Sequence, residues 1–377
     1  MSENLIRVEI ESLAPGGDAF GRQVGGAAEG RATFVPLAAP GELVTARLGR
    51  QKRDVAWATL EKVERESHLR AVPPCPVFGV CGGCQWQHVT IETQRAAKLA
   101  IVKRALRFEN VTLSAPCAPF GYRERAKLVS VHRGPTRVLG FKKAQSHEVV
   151  DIERCPLLAE PLNTALAKLR SQALPVGEVA LQLGAGGLVG VAGAGQPAST
   201  INLAGVDEPV LEISVGGFAQ VSRAANNALV QAVLAQVGPQ PGRVLELYAG
   251  AGNFTRFLVS RAAQVMASDG DGVAVQLGAK NVPQASWVAP DAVPLHDVFD
   301  TVVVDPPRAG LDALALDLAR LARKTIVYVS CDPQTLGRDA RLLAGFGFQL
   351  THAEAFDLMP QTHHVEVVAR FSAAGTG

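Results

Sequence analysis

The C-terminal part of the chain, from about residue 216, alternates helix-like and strand-like segments. FAQVSRAANNALVQAVLAQV predicts a helix, and the stretches 255–261 and 311–323 predict two more. Short apolar runs rich in β-branched residues lie between them, at Arg243–Leu247, Gln264–Ser268, Thr301–Val304, Thr325–Val329 and His364–Phe371. This alternation predicts an α/β fold with a doubly wound, mainly parallel sheet. In such sheets, ligands bind at the carboxyl ends of the strands.

A glycine-rich turn follows the first of these strands, in VLELYAGAGNFT (244–255). Gly250 and Gly252 let a nucleoside-like ligand approach the backbone, and Asp269 at the next strand end can accept both ribose hydroxyls. The pattern suits the adenosine of S-adenosylmethionine as well as a dinucleotide. Because the G-x-G-x-x-G form of dinucleotide sites is absent, the methyl donor is favoured.

Two further strands end in charged or reactive residues. FDTVVVDPPRAGL runs into Asp305-Pro306-Pro307-Arg308, where two prolines force an extended exit from the sheet. IVYVSCDPQTLGR stops at Cys331, with a proline two residues further on. A free cysteine is usually a small buried apolar residue. At a strand end beside a methyl-donor turn, Cys331 becomes a candidate nucleophile.

The last predicted strand, in HHVEVVARF, contributes Glu366. A thiol and a carboxylate beside a methyl donor suit methylation of uracil at carbon 5, which is too weak a nucleophile by itself. Thiolate addition at carbon 6 makes an enolate whose carbon 5 attacks the methyl group, and a base then removes the carbon-5 proton so that the thiol leaves. Cys331 is the predicted nucleophile and Glu366 the predicted base. The simpler alternative for Glu366 is a surface carboxylate.

The segment AVPPCPVFGVCGGCQWQHVT has no charged residue and places Cys75, Cys81 and Cys84 at a C-x5-C-x2-C spacing. Three thiolates this close predict a metal or iron–sulfur site. A closed site needs a fourth ligand, for which Cys155 and Cys117 are rivals. Four thiolates admit either zinc or an iron–sulfur cluster.

The N-terminal region alternates short strands with Gly- and Pro-rich turns, which predicts a small β-barrel of the oligonucleotide-binding kind. Residues 91–156 carry 13 basic and 6 acidic side chains, and this surplus favours a polyanionic partner such as RNA. Residues 91–109 predict a basic amphipathic helix. The alternative to RNA binding is that its basic residues only form a solvated helix face. Aromatic and basic side chains adjoin in Gly121–Arg125 and Gly140–Lys143, as suits unpaired bases. The apolar side of the helix is predicted to comprise Ile91, Ala97, Ile101, Ala105 and Phe108.

A length of 377 residues predicts two or three domains. We place them at 1–66, a β-barrel, at 67–215, a β-rich part that carries the cysteine cluster, and at 216–377, the α/β part. The helix at 91–109 is expected to pack on the last of these. No apolar run approaches a membrane span of roughly 20 residues. The N-terminus lacks a signal-peptide pattern, so we expect a cytoplasmic monomer without membrane contact, and cysteines outside disulfides.

The chain resembles the RNA uracil-5-methyltransferase family over nearly its full length. The resemblance rests on the order and spacing of PPCPVFGVCGGCQWQH, GYRERAKL, VVDIERCP, FAQVS, LELYAGAGNFT, DPPRAGL, YVSCDPQTLGRD and MPQTHHVE. The N-terminal region is similar to the family's RNA-binding TRAM domain, notably in FVPLAAPGE. The resemblance therefore implies a Rossmann-like S-adenosylmethionine-dependent methyltransferase domain preceded by a TRAM-like barrel.

Resemblance to the cluster-bearing branch of this family also implies site residues. A [4Fe–4S] cluster would be held by Cys75, Cys81, Cys84 and Cys155, which leaves Cys117 unassigned. The cysteine of SCDP is the family's nucleophile and the glutamate of HHVE its base. Contacts to S-adenosylmethionine are implied for Gln220, Tyr248, Asn253, Asp269, Asp291 and Asp305.

Three positions depart from the family pattern. Ser222 and Asp332 stand where the family usually has asparagine, and Asp269 stands where it often has glutamate. The Asp269 change is conservative. A carboxylate at Asp332, beside a thiol that must ionise, is expected to raise the pKa of Cys331.

The expected partner is RNA, with large-subunit ribosomal RNA first and transfer RNA second. The target uridine has to leave any base stack to reach Cys331. A non-catalytic RNA-binding protein stabilised by its cluster is a different class of function, and the pairing of Cys331 with Glu366 disfavours it. A cluster-dependent redox enzyme is disfavoured by the missing dinucleotide motif.

Overall fold

The computed structural model describes residues 4–172, 174–196, 198–311 and 314–374. The chain forms two compact units, each assembled from separate stretches of sequence. Unit 1 comprises Met1–Ile101, Phe141–Asp151 and Met359–His364, and unit 2 comprises Val102–Gly140, Ile152–Leu358 and Val365–Gly377. The three-domain partition at residues 66 and 215 stays a prediction.

The strands and helices are numbered along the chain. The strands are β1 (Leu5–Leu13), β2 (Ala19–Gln23), β3 (Ala32–Val35), β4 (Leu43–Lys52), β5 (Val55–Arg65), β6 (Val111–Ser114), β7 (Arg125–Arg133), β8 (Thr136–Lys142), β9 (Val149–Asp151), β10 (Gly177–Leu183), β11 (Val189–Ala192), β12 (Thr200–Asn202), β13 (Glu212–Ser214), β14 (Arg243–Leu247), β15 (Gln264–Ser268), β16 (Ser286–Val288), β17 (Phe299–Val304), β18 (Ala322–Ser330), β19 (Phe348–Phe356) and β20 (Glu366–Ala373). The helices are α1 (Ile91–Leu106), α2 (Glu160–Arg170), α3 (Arg223–Val237), α4 (Thr255–Leu258), α5 (Gly272–Asn281), α6 (Leu314–Leu321) and α7 (Pro333–Gly345). Short 3-10 turns lie at Ala185–Gly187 and Pro290–Ala292.

Unit 1 contains a closed five-stranded barrel in the order β1-β2-β3-β5-β4. The pairs are antiparallel except for β3 with β5, which is parallel, and β4 closes the barrel on β1. Inward positions alternate with outward ones, so that Val8, Ile10 and Val44 are buried inside. The barrel expected at the N-terminus is therefore present.

A buried ion pair fixes the chain that leaves the barrel. Glu42 is fully buried and accepts hydrogen bonds from Arg70 and from the backbone amide of Ala39. Arg70 also donates to the backbone oxygen of Leu37. A buried carboxylate is tolerated only when its oxygens are satisfied in this way.

Unit 2 contains an eight-stranded sheet in the order β16-β15-β14-β17-β18-β20-β19-β6. Strands β14 to β18 run parallel within it, whereas β20 is antiparallel to both β18 and β19. The central strands are apolar and buried on both faces, as in VVV at 302–304 and IVYV at 326–329. Such runs are typical of parallel strands covered by helices on both sides.

Two smaller sheets complete unit 2. Strands β11, β10, β7 and β8 lie side by side in that order and pair antiparallel. Strands β12 and β13 form a two-stranded ribbon. Helix α3 begins at Ser222, whose hydroxyl accepts from the amide of Ala225. Serine thus caps the helix at a position where asparagine caps equally well, which accounts for this departure from the family pattern.

The predicted alternation is confirmed for β14, β15, β17, β18 and β20 and for α3 and α4, with shifts of up to five residues at the ends. The predicted helix at 311–323 is α6, although residues 312 and 313 lie outside the described part of the chain. Strands β6 and β19 were not expected. The polar residues of β19 (FQLTHAEAF) mask its apolar pattern, and β6 is only four residues long.

Helix α1 differs from its prediction in two ways. It ends at Leu106, so that Phe108 lies beyond it, and its buried side contains Gln94 and Lys98 together with Ile101. Lys98 is fully buried and donates to the backbone oxygen of Met359. Part of the basic charge of this segment is therefore structural. The expected aromatic contact from GYRER is also wrong, because Tyr122 is buried.

Candidate active site

The register of the large sheet brings the predicted nucleophile and base together. Ser330 of β18 pairs with Val367 of β20, and the two strands are antiparallel. This is the last pair of the ladder, and one further step along each chain leads to Cys331 and Glu366. Directly opposite residues of an antiparallel pair have Cβ atoms about 4.5–5.5 Å apart. The thiol and the carboxylate face one another because the strands pair, although 34 residues separate them in sequence.

The neighbouring strand ends supply three more predicted residues. Leu247 of β14 pairs with Val304 of β17 and with Ser268 of β15. Tyr248, Asp305 and Asp269 follow these positions, so they lie at the same edge of the sheet. This is the carboxyl edge, where open α/β sheets bind their ligands.

A cleft of about 390 Å³ lies at this edge. Its lining contains six of the eight residues predicted for catalysis and for the methyl donor, namely Gln220, Tyr248, Asp269, Asp305, Cys331 and Glu366. Asn253 lines an adjoining pocket together with Gln220, Tyr248 and Asp305. Asp291 lies in an exposed 3-10 turn and lines neither pocket.

The glycine-rich turn contains three residues with positive φ angles. Tyr248, Gly250 and Gly252 have φ values of 59°, 57° and 96°, in the left-handed region that glycine adopts readily and tyrosine does not. Strain of this kind persists where the surrounding structure enforces it. The carboxylate of Asp269 accepts from the amide of Gly250 at 2.8 Å, which fixes the turn against the next strand. Asn253 is held by two reciprocal hydrogen bonds with Asn226.

The thiol of Cys331 is poorly ionised in the free protein. Burial raises the pKa of Cys331 to about 11, and the nearby charges of Glu366 and Asp305 act in the same direction. Arg308 opposes them, both through its charge and through a hydrogen bond to the sulfur. The sequence singled out DPPR without giving Arg308 this function, because the β17–β18 register that brings it to the thiol is not visible in sequence.

The carboxyl groups of the cleft are also shifted. Burial, followed by the charge of Asp305, raises the pKa of Glu366 to about 8, and Arg308 lowers it. Burial raises the pKa of Asp305 to about 7. A carboxyl group with a pKa in this range exchanges protons readily at neutral pH, which is a property of general bases.

The expected effect of Asp332 on the thiol is not among the causes of the raised pKa of Cys331. Asp332 is the N-cap of α7, and its carboxylate accepts from the amides of Gln334 and Thr335 at 2.9 and 3.0 Å. Asparagine caps helices as well as aspartate does. The departure from the family pattern is thus explained by capping, and the acidity of Cys331 is governed by burial and by Glu366.

Comparisons with known proteins agree with this geometry. The family model described as tRNA (Uracil-5-)-methyltransferase matches residues 291–371, the segment that holds Asp305, Cys331 and Glu366. The 23S rRNA (uracil(1939)-C(5))-methyltransferase RlmD of Pectobacterium atrosepticum is 31% identical, over 97% of this chain and 93% of that protein. The corresponding protein of Alkalilimnicola ehrlichii is 33% identical, over 90% of this chain and 92% of that protein.

The chain belongs to the RNA uracil-5-methyltransferase family.

A solved structure extends the family likeness to the fold. The tRNA (uracil-54, C5)-methyltransferase of Pyrococcus abyssi, in complex with S-adenosyl-L-homocysteine, superposes with a TM-score of 0.78 at 26% identity. The alignment covers 97% of this chain and all of that one. The family fold, a small barrel and an α/β methyltransferase part, is therefore shared from end to end.

The cysteines predicted to hold a metal or a cluster lie in both units. Cys75, Cys81 and Cys84 are in unit 1, on a loop in which the amide of Cys81 donates to the oxygen of Val77 and that of Gly82 to the oxygen of Lys142. Cys155 is in unit 2. In the ranges that the structure describes, no group of three or more His, Cys, Asp or Glu side chains is placed to hold a metal ion. Four thiols are a donor set that suits an iron–sulfur cluster or a zinc ion.

Cys117, the rival fourth ligand, is buried in unit 2, with its sulfur 3.5 Å from the hydroxyl of Ser222. Its surroundings are the start of α3. Cys117, which the family resemblance left unassigned, is therefore a core residue in this structure.

Sequence reasoning missed Glu246, which precedes the glycine-rich turn. Glu246 is buried, and burial raises its pKa to about 8 although a hydrogen bond from Thr255 opposes the shift. One of its oxygens has no partner among the described residues. The acidic position in LELYAGAG was the available signal. Glu246 therefore places a carboxyl group that keeps its proton at neutral pH directly before the turn.

Proposed function

We propose that this protein transfers a methyl group from S-adenosylmethionine to carbon 5 of a uridine in RNA. The observation that carries the proposal is the position of Cys331 and Glu366 at the paired ends of β18 and β20, in the cleft beside the glycine-rich turn. A thiol opposite a carboxyl group is what carbon-5 methylation of uracil requires. Family membership supplies the reaction class.

The reaction begins with the thiolate of Cys331. Its sulfur forms a bond to carbon 6 of the uracil, and the electrons of the carbon 5–carbon 6 double bond move to the enolate oxygen. S-adenosylmethionine, when bound, would supply an electrophilic methyl group. Carbon 5 of the enolate forms a bond to the methyl carbon as the bond between that carbon and the sulfonium sulfur breaks, which leaves S-adenosylhomocysteine. The carboxylate of Glu366 then takes the proton from carbon 5. The double bond re-forms as the carbon–sulfur bond breaks, and the thiolate is released.

The electrostatics of the free cleft support this order of events. Cys331, Glu366 and Asp305 all favour their protonated forms, because burial raises the pKa of each. A sulfonium cation in the same cleft stabilises the charged forms of all three. Arg308 stabilises the thiolate directly. The thiol therefore gains nucleophilicity when the methyl donor is present.

Large-subunit ribosomal RNA is the proposed substrate, because the near full-length relatives are 23S rRNA methyltransferases. Transfer RNA is the alternative, since the structurally similar protein of Pyrococcus abyssi acts on that RNA. The decisive measurement is transfer of labelled methyl to 23S ribosomal RNA and to transfer RNA in parallel, followed by mapping of 5-methyluridine. Labelling of transfer RNA alone would reverse the assignment.

Two variants test the mechanism. Cys331→Ala is expected to abolish product, and retained transfer would remove the thiol from the reaction. Glu366→Gln is expected to accumulate a covalent protein–RNA adduct, because the carbon-5 proton is no longer removed. If Cys331 is still reactive in the Glu366→Gln variant but no adduct can be trapped, another residue is the base. Binding of S-adenosylhomocysteine by both variants is the control for folding.

The contacts to the methyl donor are proposed for the cleft residues. Asp269 would hold the ribose, and Gln220, Tyr248, Asn253 and Asp305 would line the rest of the ligand. Asp291 is included on family resemblance alone. Asp269→Ala is expected to weaken S-adenosylmethionine binding, and Asp291→Ala tests whether the exposed turn takes part.

A [4Fe–4S] cluster on Cys75, Cys81, Cys84 and Cys155 is proposed on the spacing of these cysteines and on the family resemblance. Protein prepared without oxygen is expected to contain iron and sulfide and to be brown. Stoichiometric zinc, or metal-free protein with full activity, would contradict the cluster.

We further propose that the barrel is a TRAM domain that binds RNA, that the protein is a monomer, and that it acts in the cytoplasm. No helix in the described part of the chain is long and apolar enough to cross a bilayer.

A further inference from the structure

Three aromatic side chains form a row across the outer surface of the barrel. Phe20 of β2 pairs directly with Phe34 of β3, and Phe34 pairs directly with Trp57 of β5. The ring centroids are 5.6 Å apart for the two phenylalanines and 5.8 Å apart for Phe34 and Trp57. The Phe34 and Trp57 rings are stacked, with an interplanar angle of 23°. These spacings are typical of interacting aromatic pairs.

The row faces outward and keeps part of its surface open to solvent. On all three strands the neighbours on either side are buried in the barrel, namely Ala19, Gly21, Thr33, Val35, Ala56 and Ala58. Phe20, Phe34 and Trp57 are partly exposed. Side chains alternate between the two faces of a strand, so the aromatic row is not part of the barrel core. Three aligned aromatics on an outer surface call for an explanation other than core packing.

Cationic side chains lie at both ends of the row. The guanidinium of Arg50 lies 4.7 Å from the centre of the Trp57 ring, and that of Arg22 lies 5.7 Å from the Phe20 ring. Arg22 is also paired with Glu11 at 3.1 Å. In the described chain no ion pair is formed by Arg50, nor by Lys52 and Arg53 of the adjoining hairpin, where Asp54 is the acidic neighbour. Arg22 and Arg50 thus lie over the rings, and Lys52 and Arg53 follow Arg50 in the chain.

We propose that the Phe20–Phe34–Trp57 row is a stacking surface for unpaired bases of the RNA substrate, with Arg50, Lys52 and Arg53 holding the adjacent phosphates. Aromatic rings beside unpaired cations are the arrangement that binds single strands without reading their sequence. The proposal rests on the proposed function, because the bound strand is taken to be part of the methylated RNA. The proposal gives the barrel a mode of RNA binding, in which the barrel binds nucleotides other than the target uridine.

The proposed surface is expected to prefer single-stranded RNA to a base-paired duplex. Stacking requires open base faces, which a duplex does not offer. The whole barrel region, residues 1–70, carries 10 basic and 10 acidic side chains, so a surface that relied on phosphates alone would be weak. On this barrel surface, the rings are therefore expected to contribute a substantial part of the affinity for RNA.

The test uses the full-length protein with a short single-stranded oligouridylate and a double-stranded RNA of equal length. Trp57→Leu keeps an apolar side chain but removes the ring, and it is expected to weaken binding of the single strand by about fivefold to a hundredfold. Trp57→Phe is expected to bind nearly as wild type. Arg65→Ala removes a charge from the same barrel that is already paired with Glu9, and it serves as the control. Equal binding by Trp57→Leu and wild type would overturn the proposal, and so would an equal loss for both RNAs.

A second measurement needs no variant that could misfold. Photo-crosslinking of 4-thiouridine-substituted RNA to wild-type protein, followed by peptide mass spectrometry, is expected to label Phe34 or Trp57. Crosslinks confined to unit 2 would overturn the stacking surface. Methyl transfer to ribosomal RNA is measured on the same wild-type preparation. Absent transfer with intact crosslinking rejects the proposed function alone, whereas normal transfer with no barrel crosslink rejects the stacking surface alone.

Discussion

The thiol of Cys331, the proposed nucleophile, is largely protonated at neutral pH. Its pKa of about 11 arises from burial and from the charge of Glu366, so the proposed base also suppresses formation of the thiolate. This coupling limits reaction of the thiol with anything that does not enter the cleft. It also means that the two residues cannot be altered independently.

Glu366→Gln is expected to make Cys331 more reactive. Loss of the opposing charge lowers the pKa of Cys331, since like charges disfavour ionisation. At about pH 8, where Glu366 is half ionised in the wild type, the rate of iodoacetamide labelling of the Cys331 peptide should rise severalfold. The measurement is mass spectrometry of that peptide over time, with wild-type protein labelled in parallel as the control. A slower rate in the variant would contradict the coupling.

The same carboxyl group destabilises the fold at high pH. Because burial raises the folded-state pKa of Glu366 to about 8, its stabilising contribution is present below the unfolded value and is lost as pH rises through about 8. Glu366→Gln removes this loss. The variant should therefore gain melting temperature relative to wild type at about pH 9 by about 2 °C or more, and little at about pH 5. An equal gain at both pH values would assign the effect to packing.

Asp332 gives a second residue-scale prediction. Asp332→Asn keeps the cap of α7 and should leave both stability and thiol reactivity close to wild type. Asp332→Ala removes the cap and should cost about 1 kcal/mol of stability. Thermal melts and iodoacetamide labelling of Cys331 check both variants. A markedly more reactive thiol in Asp332→Asn would restore the direct charge effect expected from sequence.

At the scale of elements, α7 is held close to the end of α1 within unit 2. A Cβ atom added at Gly337 would lie 2.2 Å from the backbone oxygen of Ala105, so glycine is required for this approach. Helix α7 begins directly after Cys331, and its position fixes the exit of the thiol-bearing strand. Packing of the whole basic helix on the α/β part stays a prediction.

Gly337→Ala is expected to destabilise the protein by about 1–3 kcal/mol, because backbone must shift to admit the methyl group. Gly345 lies in the same helix and has open space around it. Gly345→Ala should be neutral or stabilising by up to about 1 kcal/mol, since alanine is the better helix former. Chemical denaturation compares the two variants. Equal effects would show that helix propensity, and not contact with Ala105, governs both positions.

The sequence was informative where an element is marked by its own residues. The strand ends that carry Tyr248, Asp305 and Cys331 were found because apolar runs stop there abruptly. The sequence was uninformative where the formation or the register of a strand depends on its pairing partners. The four-residue β6 has no pattern of its own and is a strand because β19 lies beside it. The contact between Arg308 and Cys331 likewise depends on the register of β17 and β18.

At the scale of the whole molecule, the net charge counted from the sequence differs from the net charge that is exposed on the surface. Residues 91–156 have a surplus of seven positive charges, from 13 basic and 6 acidic side chains, yet Lys98 is fully buried. Burial of a lysine follows from tertiary contacts that no local pattern reveals. The RNA-facing charge is therefore smaller than composition indicates.

Salt dependence separates the two kinds of cation. Arg104 is exposed on α1, and Arg104→Ala should reduce the slope of log affinity for RNA against log salt by about 1. Lys98→Met should leave that slope unchanged. Binding titrations over a range of salt concentrations measure both. A reduced slope in Lys98→Met with a normal melting temperature would show that Lys98 reaches the RNA.

The antiparallel pairing of β18 and β20 has a consequence for how this family can vary. The distance between Cys331 and Glu366 is set by the pairing of these strands, so the length of the chain that connects them has no influence on it. Turns such as the one after α7 can therefore gain or lose residues over generations without disturbing the pair. A single-residue insertion or deletion inside either strand would instead turn one partner to the opposite face of the sheet. Inherited changes of length should accumulate between the two strands and be absent within them.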